Sequence, residues 1–79
     1  MKSQVSKLKR ISGLEAINVL KKLGFVQIRQ KGSHAILKKI IDDKEIGYVV
    51  PLHSELAVGI LRGILMQAKI SQEEFVKHL

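Results

Sequence analysis

The feature that most constrains this chain is a set of three short β-rich segments between residues 25 and 51, separated by corners that suit only tight turns. Phe25-Val26-Gln27-Ile28-Arg29-Gln30 alternates near period two, which predicts Val26, Ile28 and Gln30 on one face and Phe25, Gln27 and Arg29 on the other. Lys31-Gly32-Ser33 follows as a corner: Gly32 accepts positive φ, and Ser33 can bond back to nearby backbone. His34 to Ile41 is aliphatic and β-branched, a second strand with His34, Ile36, Lys38 and Ile40 on one face. Asp42-Asp43-Lys44 is a second turn signal, and Glu45 to Val50 a third strand that Pro51 ends. Consecutive strands with such short connections favour an antiparallel meander.

Helical signals flank the meander. Ser12-Gly13-Leu14-Glu15 fits a capping box, with Ser12 as N-cap and Glu15 reaching back to it. Leu14, Ile17, Leu20 and Leu23 form an apolar stripe near helical period, widened by Ala16 and Val19. Lys21 and Lys22 suit the C-terminal end of the helix dipole, and Gly24 suits the stop. After the loop Leu52-His53-Ser54-Glu55, a second helix is expected from about Leu56 to Ala68, with Ile60, Leu61, Ile64, Leu65 and Ala68 on a wide apolar face. Gly59 and Gly63 weaken that helix by propensity, while their four-residue spacing allows another element to approach closely. Ser71-Gln72-Glu73-Glu74 reads as a second capping box, opening a short helix with Phe75 and Leu79. The expected fold is α+β, in the order α-β-β-β-α with a short C-terminal helix. Its antiparallel three-stranded sheet carries the helices on one face. Residues 1–79 read as a single domain, with 1–10 a flexible basic lead-in.

Charge narrows the function. Of the net +7, residues 1–44 hold 11 Lys/Arg against 3 Asp/Glu, and residues 45–79 hold 3 against 4. A basic half beside a nearly neutral one points to a polyanion surface, with solubilising lysines as the bland reading. The absence of cysteine excludes disulfides and thiolate metal sites and fits a reducing cytoplasm. No apolar run reaches the roughly 20 residues of a membrane span, so no membrane is expected as a partner. His34, His53 and His78 have no local metal-ligand spacing, so neither a metal nor a small-molecule cofactor is expected. With two Phe and one Tyr, stacking on single-stranded bases is a poor main binding mode.

Within this frame the corner ending at His34 carries the chemistry. Arg29, Lys31, Lys38 and Lys39 all lie within five residues of His34 in the chain. RNA brings its own nucleophile, the 2′-hydroxyl, so its cleavage needs no metal and no protein nucleophile. It needs a group that moves protons near neutral pH, as imidazole does, and cations for the charge that builds on phosphorus. From the residues alone His34 is a titratable ring among cations that could handle a phosphodiester, with Arg29, Lys31, Lys38 and Lys39 as phosphate contacts. Gly32 and Ser33 form the supporting turn. The bland alternative is a half-buried strand histidine. His53 is either a second acid–base partner or a residue that positions its loop.

The chain also resembles a known family. Ser12-Gly13, Leu23-Gly24-Phe25, Arg29-Gln30-Lys31-Gly32-Ser33-His34, Val50-Pro51-Leu52-His53, Gly59-Ile60-Leu61-Arg62-Gly63-Ile64-Leu65 and Ala68-Lys69-Ile70-Ser71-Gln72-Glu73-Glu74-Phe75 occur in an order similar to that of HicA toxins. The resemblance runs from about residue 11 to the C-terminus. It implies a double-stranded-RNA-binding-domain-like fold and a cytoplasmic mRNA interferase, the toxin of a type II toxin–antitoxin pair. It also implies RNA as substrate, a HicB-like antitoxin as protein partner, and His34 as the catalytic histidine, acting as general acid or base. Two other readings compete: a non-catalytic RNA-binding module of the same fold, and a protein-docking role for the apolar surface around Ile60, Ile64 and Met66.

Overall fold

The two corners of the meander take different tight turns, each suited to its residues. Gly32 has φ of +60°, whereas Asp42 and Asp43 both have positive φ, at 52° and 65°. A glycine first in a two-residue loop, followed by a residue of ordinary φ, fits type II′; two left-handed residues fit type I′. Both turns match the right-handed strand twist, so the hairpins close without splaying. The computed structural model describes residues 10–79, so the lead-in expected over residues 1–10 lies outside them except for Arg10. The order is α1 (Gly13–Lys22), β1 (Val26–Lys31), β2 (His34–Ile41), β3 (Lys44–Pro51), α2 (Val58–Ala68) and α3 (Gln72–Lys77). The sheet order is β1-β2-β3 and both pairings are antiparallel, the α+β architecture expected.

All three helices pack on one face of the sheet. Ala35 and Leu37 of β2 and Tyr48 and Val50 of β3 meet Ile17 and Leu20 of α1, Leu61 and Leu65 of α2, and Phe75 of α3 in one buried cluster. Alternate β2 residues (His34, Ile36, Lys38 and Ile40) lie on the open face, as their spacing predicts.

α1 opens with the capping box: Glu15 N–H donates to Ser12 Oγ at 3.0 Å and Ser12 N–H donates to Glu15 Oε1 at 2.9 Å. It closes with paired bonds from Phe25 N–H to the Leu20 carbonyl and from Gly24 N–H to that of Lys21. The expected stripe is turned, however. Gly13, Ala16, Ile17, Val19 and Leu20 are buried, while Leu14 is 62% exposed. Gly13 is pressed against β3, and that contact rotates its neighbour Leu14 into solvent.

α2 also departs from expectation. It begins at Val58; Leu56 is a buried loop anchor whose N–H donates to the Ile11 carbonyl at 2.7 Å. Ile60 points outward, and Ile64, expected on a docking surface, lies in the core. The close approach expected at Gly59 and Gly63 is not found, since a Cβ at either would meet nothing within 4 Å. The helix ends on Lys69 in the left-handed region, with φ of 60° and ψ of 39°. α3 is capped by Ser71, whose Oγ accepts from Glu74 N–H at 3.0 Å.

Two stability predictions follow from these positions. A lysine at a left-handed helix end carries backbone strain that glycine lacks, so Lys69→Gly is expected to add about 1 kcal/mol. Thermal unfolding should then shift up by roughly 4–8 °C. Tyr48 packs on Phe25 with centroids 5.4 Å apart and rings tilted by 58°, and its buried hydroxyl finds no hydrogen-bond partner among the described residues. Burial pushes the phenol above its ordinary value near 10. The folded state therefore holds this proton more tightly than the unfolded chain. The stability it contributes is complete below pH 10 and lost as pH rises beyond. Tyr48→Phe is expected to equal or exceed the parent by about 1 kcal/mol at neutral pH and to lose less stability above pH 10, read by denaturant melts at both pH values.

Candidate functional site

The site is assembled where the tip of the β1–β2 hairpin meets the end of β3. Lys31 is the cross-strand partner of His34 on one side, and Pro51 is its partner on the other. Leu52 N–H donates to the Ser33 carbonyl at 2.7 Å, which makes His34 and Pro51 a non-hydrogen-bonded antiparallel pair. Opposed residues in such pairs stand closest, with Cα atoms about 4.5 Å apart. Pro51 thus stands directly across from His34, and the amide hydrogen that proline lacks is not needed toward β2. His34 itself is exposed.

A β-bulge decides which cations join it. Gln27 faces Leu37 and Arg29 faces Ile36, leaving Ile28 as the extra residue of β1. Strict alternation places Arg29 with Phe25 and Gln27 on the helix-covered side. The bulge instead puts Arg29 on the open face with Lys31 and His34, correcting the face expected for it. β1 carries no acidic residue, so Arg29 and Lys31 form an exposed cationic pair on the same face as His34.

The other expected phosphate contacts lie apart from this pair. Lys38 is on the same face but four residues along β2, about 13 Å from His34, and is ion-paired with Glu45. Lys39 is on the opposite face. Its Nζ donates to the Leu23 carbonyl at 2.8 Å and stands 5.5 Å from the centre of the Phe25 ring, so it closes the end of α1. A lysine there meets the negative end of the helix dipole.

Gly32 and Ser33 support the turn. Gln30 Nε2 donates to the Gly32 carbonyl at 3.2 Å, and Ser33 supplies the bond to Leu52. His53 is exposed, two residues past Pro51, and its carbonyl accepts Gly13 N–H at 2.9 Å. Its backbone therefore positions the loop, and its side chain is exposed. His78 is remote: its Nδ1 lies 3.0 Å from the Glu74 carbonyl at the end of α3. Among the described residues no group of three or more His, Cys, Asp or Glu is placed to hold a metal ion.

Three contributors escaped the sequence reading: Pro51 across from His34, the bulge at Ile28, and Gly13. A Cβ on Gly13 would collide with the Pro51 carbonyl oxygen and press on Leu52 Cα at 3.0 Å. Both are backbone atoms and cannot swing aside. Gly13→Ala is expected to cost about 3 kcal/mol and to displace Pro51 and Leu52 from the hairpin tip. The checks are thermal unfolding together with the His34 ring resonances in NMR, which should move although Gly13 is on another element.

A family model described as HicA toxin of bacterial toxin-antitoxin matches residues 13–70, which include β1, the Gly32-Ser33 corner and His34. No curated protein and no solved structure matches the chain.

Proposed function

The chain belongs to the HicA family of toxins from bacterial toxin–antitoxin systems, and we propose that it is an endoribonuclease acting on mRNA, with His34 as its acid–base group and a HicB-like antitoxin as its restraint. The observation that carries this reading is the exposed His34 directly across from Lys31, with the bulge setting Arg29 on the same face. In the proposed reaction the RNA 2′-oxygen attacks the adjacent phosphorus and the bond from phosphorus to the 5′-oxygen breaks. A 2′,3′-cyclic phosphate and a 5′-hydroxyl result. His34 accepts the 2′-hydroxyl proton or donates one to the leaving oxygen, a contribution of about 10²–10⁴-fold. His53, on the loop after Pro51, is the candidate for the complementary transfer. Arg29, with its planar fork, and Lys31 bind the phosphate as negative charge grows on it. Lys38 serves a neighbouring phosphate and adds salt-dependent affinity.

No step in this scheme asks for a cofactor. No helix among the described residues is long and apolar enough to cross a membrane, and the cytoplasm, where mRNA is met, is the proposed location.

Cleavage of RNA by purified protein in EDTA should fall about 10²–10⁴-fold in His34→Ala, with thermal unfolding unchanged because the ring is exposed. Arg29→Ala should weaken RNA binding and reduce the salt slope by about one phosphate contact. An unchanged cleavage rate in His34→Ala would sink the assignment. Tight, salt-sensitive binding with no cleavage by the parent protein would instead make the chain a non-catalytic RNA-binding module.

A further inference from the structure

The turn before His34 holds one backbone group that the cleavage scheme leaves unused. Its central peptide joins Gly32 to Ser33, and the carbonyls of both residues are already taken. Gln30 Nε2 donates to the Gly32 carbonyl at 3.2 Å, and Leu52 N–H donates to the Ser33 carbonyl at 2.7 Å. The Ser33 N–H, by contrast, has no hydrogen-bond partner among the described residues, and Ser33 is exposed.

The direction of that N–H follows from the strand register. Gln30 is opposite Ala35, which is fully buried under the helices, so the Gln30 side chain leaves β1 on the helix-covered side. Lys31 and His34 are opposite each other on the open side. A Gly32 carbonyl that meets Gln30 therefore tilts toward the helices. In a trans peptide the N–H points away from the C=O, so the Ser33 N–H tilts toward the open face, where Lys31 and His34 stand.

Two constraints keep the peptide this way round. The first is the bond from Gln30. The second is torsional: turned over, the corner would be type I′ and would need positive φ at both residues, whereas of the two only Gly32 has it. A residue with a Cβ resists that conformation. Inversion would also present the Gly32 carbonyl oxygen to the open face, where it would repel a phosphate.

A fixed N–H aimed where negative charge develops stabilises a transition state without titrating and without reorganising. It acts over one hydrogen-bond length, unlike Arg29 and Lys31, whose charge also draws RNA from a distance.

We propose that the Ser33 N–H is a catalytic donor to a non-bridging phosphate oxygen of the RNA, and that Gln30 is the positioning residue that keeps it facing the open side. The chemistry assigned to this donor rests on the ribonuclease reading of the corner; its orientation rests on the Gln30 bond and the register.

Two experiments on the full chain test this. In the first, amide resonances are followed by NMR during titration with an RNA oligonucleotide made uncleavable by 2′-O-methyl groups. The Ser33 amide proton is expected to move downfield more than any other amide of the β1–β2 hairpin, and less in Gln30→Leu. In the second, RNA cleavage is measured at varied substrate concentration. Ser33→Pro deletes the N–H at a turn position whose φ suits proline, and should lower kcat about 10²–10³-fold with KM little changed. Gln30→Leu should lower kcat about tenfold, again with KM and thermal unfolding little changed, because its side chain is exposed. Where shifted His34 ring resonances show that proline has disturbed the hairpin, synthetic protein with Ser33 replaced by its α-hydroxy acid removes the same N–H and keeps the side chain.

A Ser33 amide that stays still, or a chain without this N–H that cleaves at the parent rate, overturns the proposal. A Gln30→Leu defect wholly in KM overturns the role of Gln30. Failure of the ribonuclease reading looks different: the parent chain shifts the Ser33 amide on binding RNA yet leaves RNA uncut, which keeps the phosphate donor and removes the catalysis.

Discussion

The contact on which the rest depends is the backbone-to-backbone approach of the start of α1 to the end of β3. Gly13 fits against Pro51 and Leu52 only because it has no Cβ, and its N–H is satisfied by the His53 carbonyl. Leu52 in turn satisfies Ser33, and Leu56 satisfies Ile11. Four separate pieces of chain meet there: the α1 start, the hairpin tip, the β3 end and the lead into α2. The bonds of Gly13 and Leu56, both buried, satisfy backbone groups that burial would otherwise leave costly. His34 inherits its placement from this junction although its own ring is exposed.

The sheet is two surfaces with different duties. Its inner face is committed to the helices over β2 and β3 at Ala35, Leu37, Tyr48 and Val50, down to a tyrosine whose hydroxyl is buried without a partner among the described residues. Its outer face holds a cationic pair at the hairpin end and aliphatic side chains farther along. A strand has only two sides, so the β2 residues that alternate with the core positions are delivered to this one surface. Lys39 shows the same rule from the other side. Adjacent to Lys38 in sequence, it projects to the opposite face and closes the end of α1.

Much of this was legible locally. Ser12 and Glu15 announce the start of α1, Gly24 its end, and the two corners of the meander their own turns. The three strands and the faces of β2 follow from spacing alone. The face of Arg29 did not, because a bulge is a one-residue slip against a partner strand and leaves little trace in the bulged sequence. Leu14 and Ile60 satisfied helical periodicity yet lie outside, since periodicity defines a stripe only to within a rotation that the neighbouring surface completes. Gly59 and Gly63 suggested a close neighbour; the described residues place none against them.

The sequence by itself determined the elements, their order and the identity of the candidate histidine, because capping, turn torsions and strand alternation involve residues only a few positions apart. Only the tertiary structure decided which cations stand beside His34, that Pro51 stands across from it, and that Lys38 and Lys39 part company. Those outcomes depend on cross-strand register and on one interelement contact at Gly13, and neither has a short-range sequence signal.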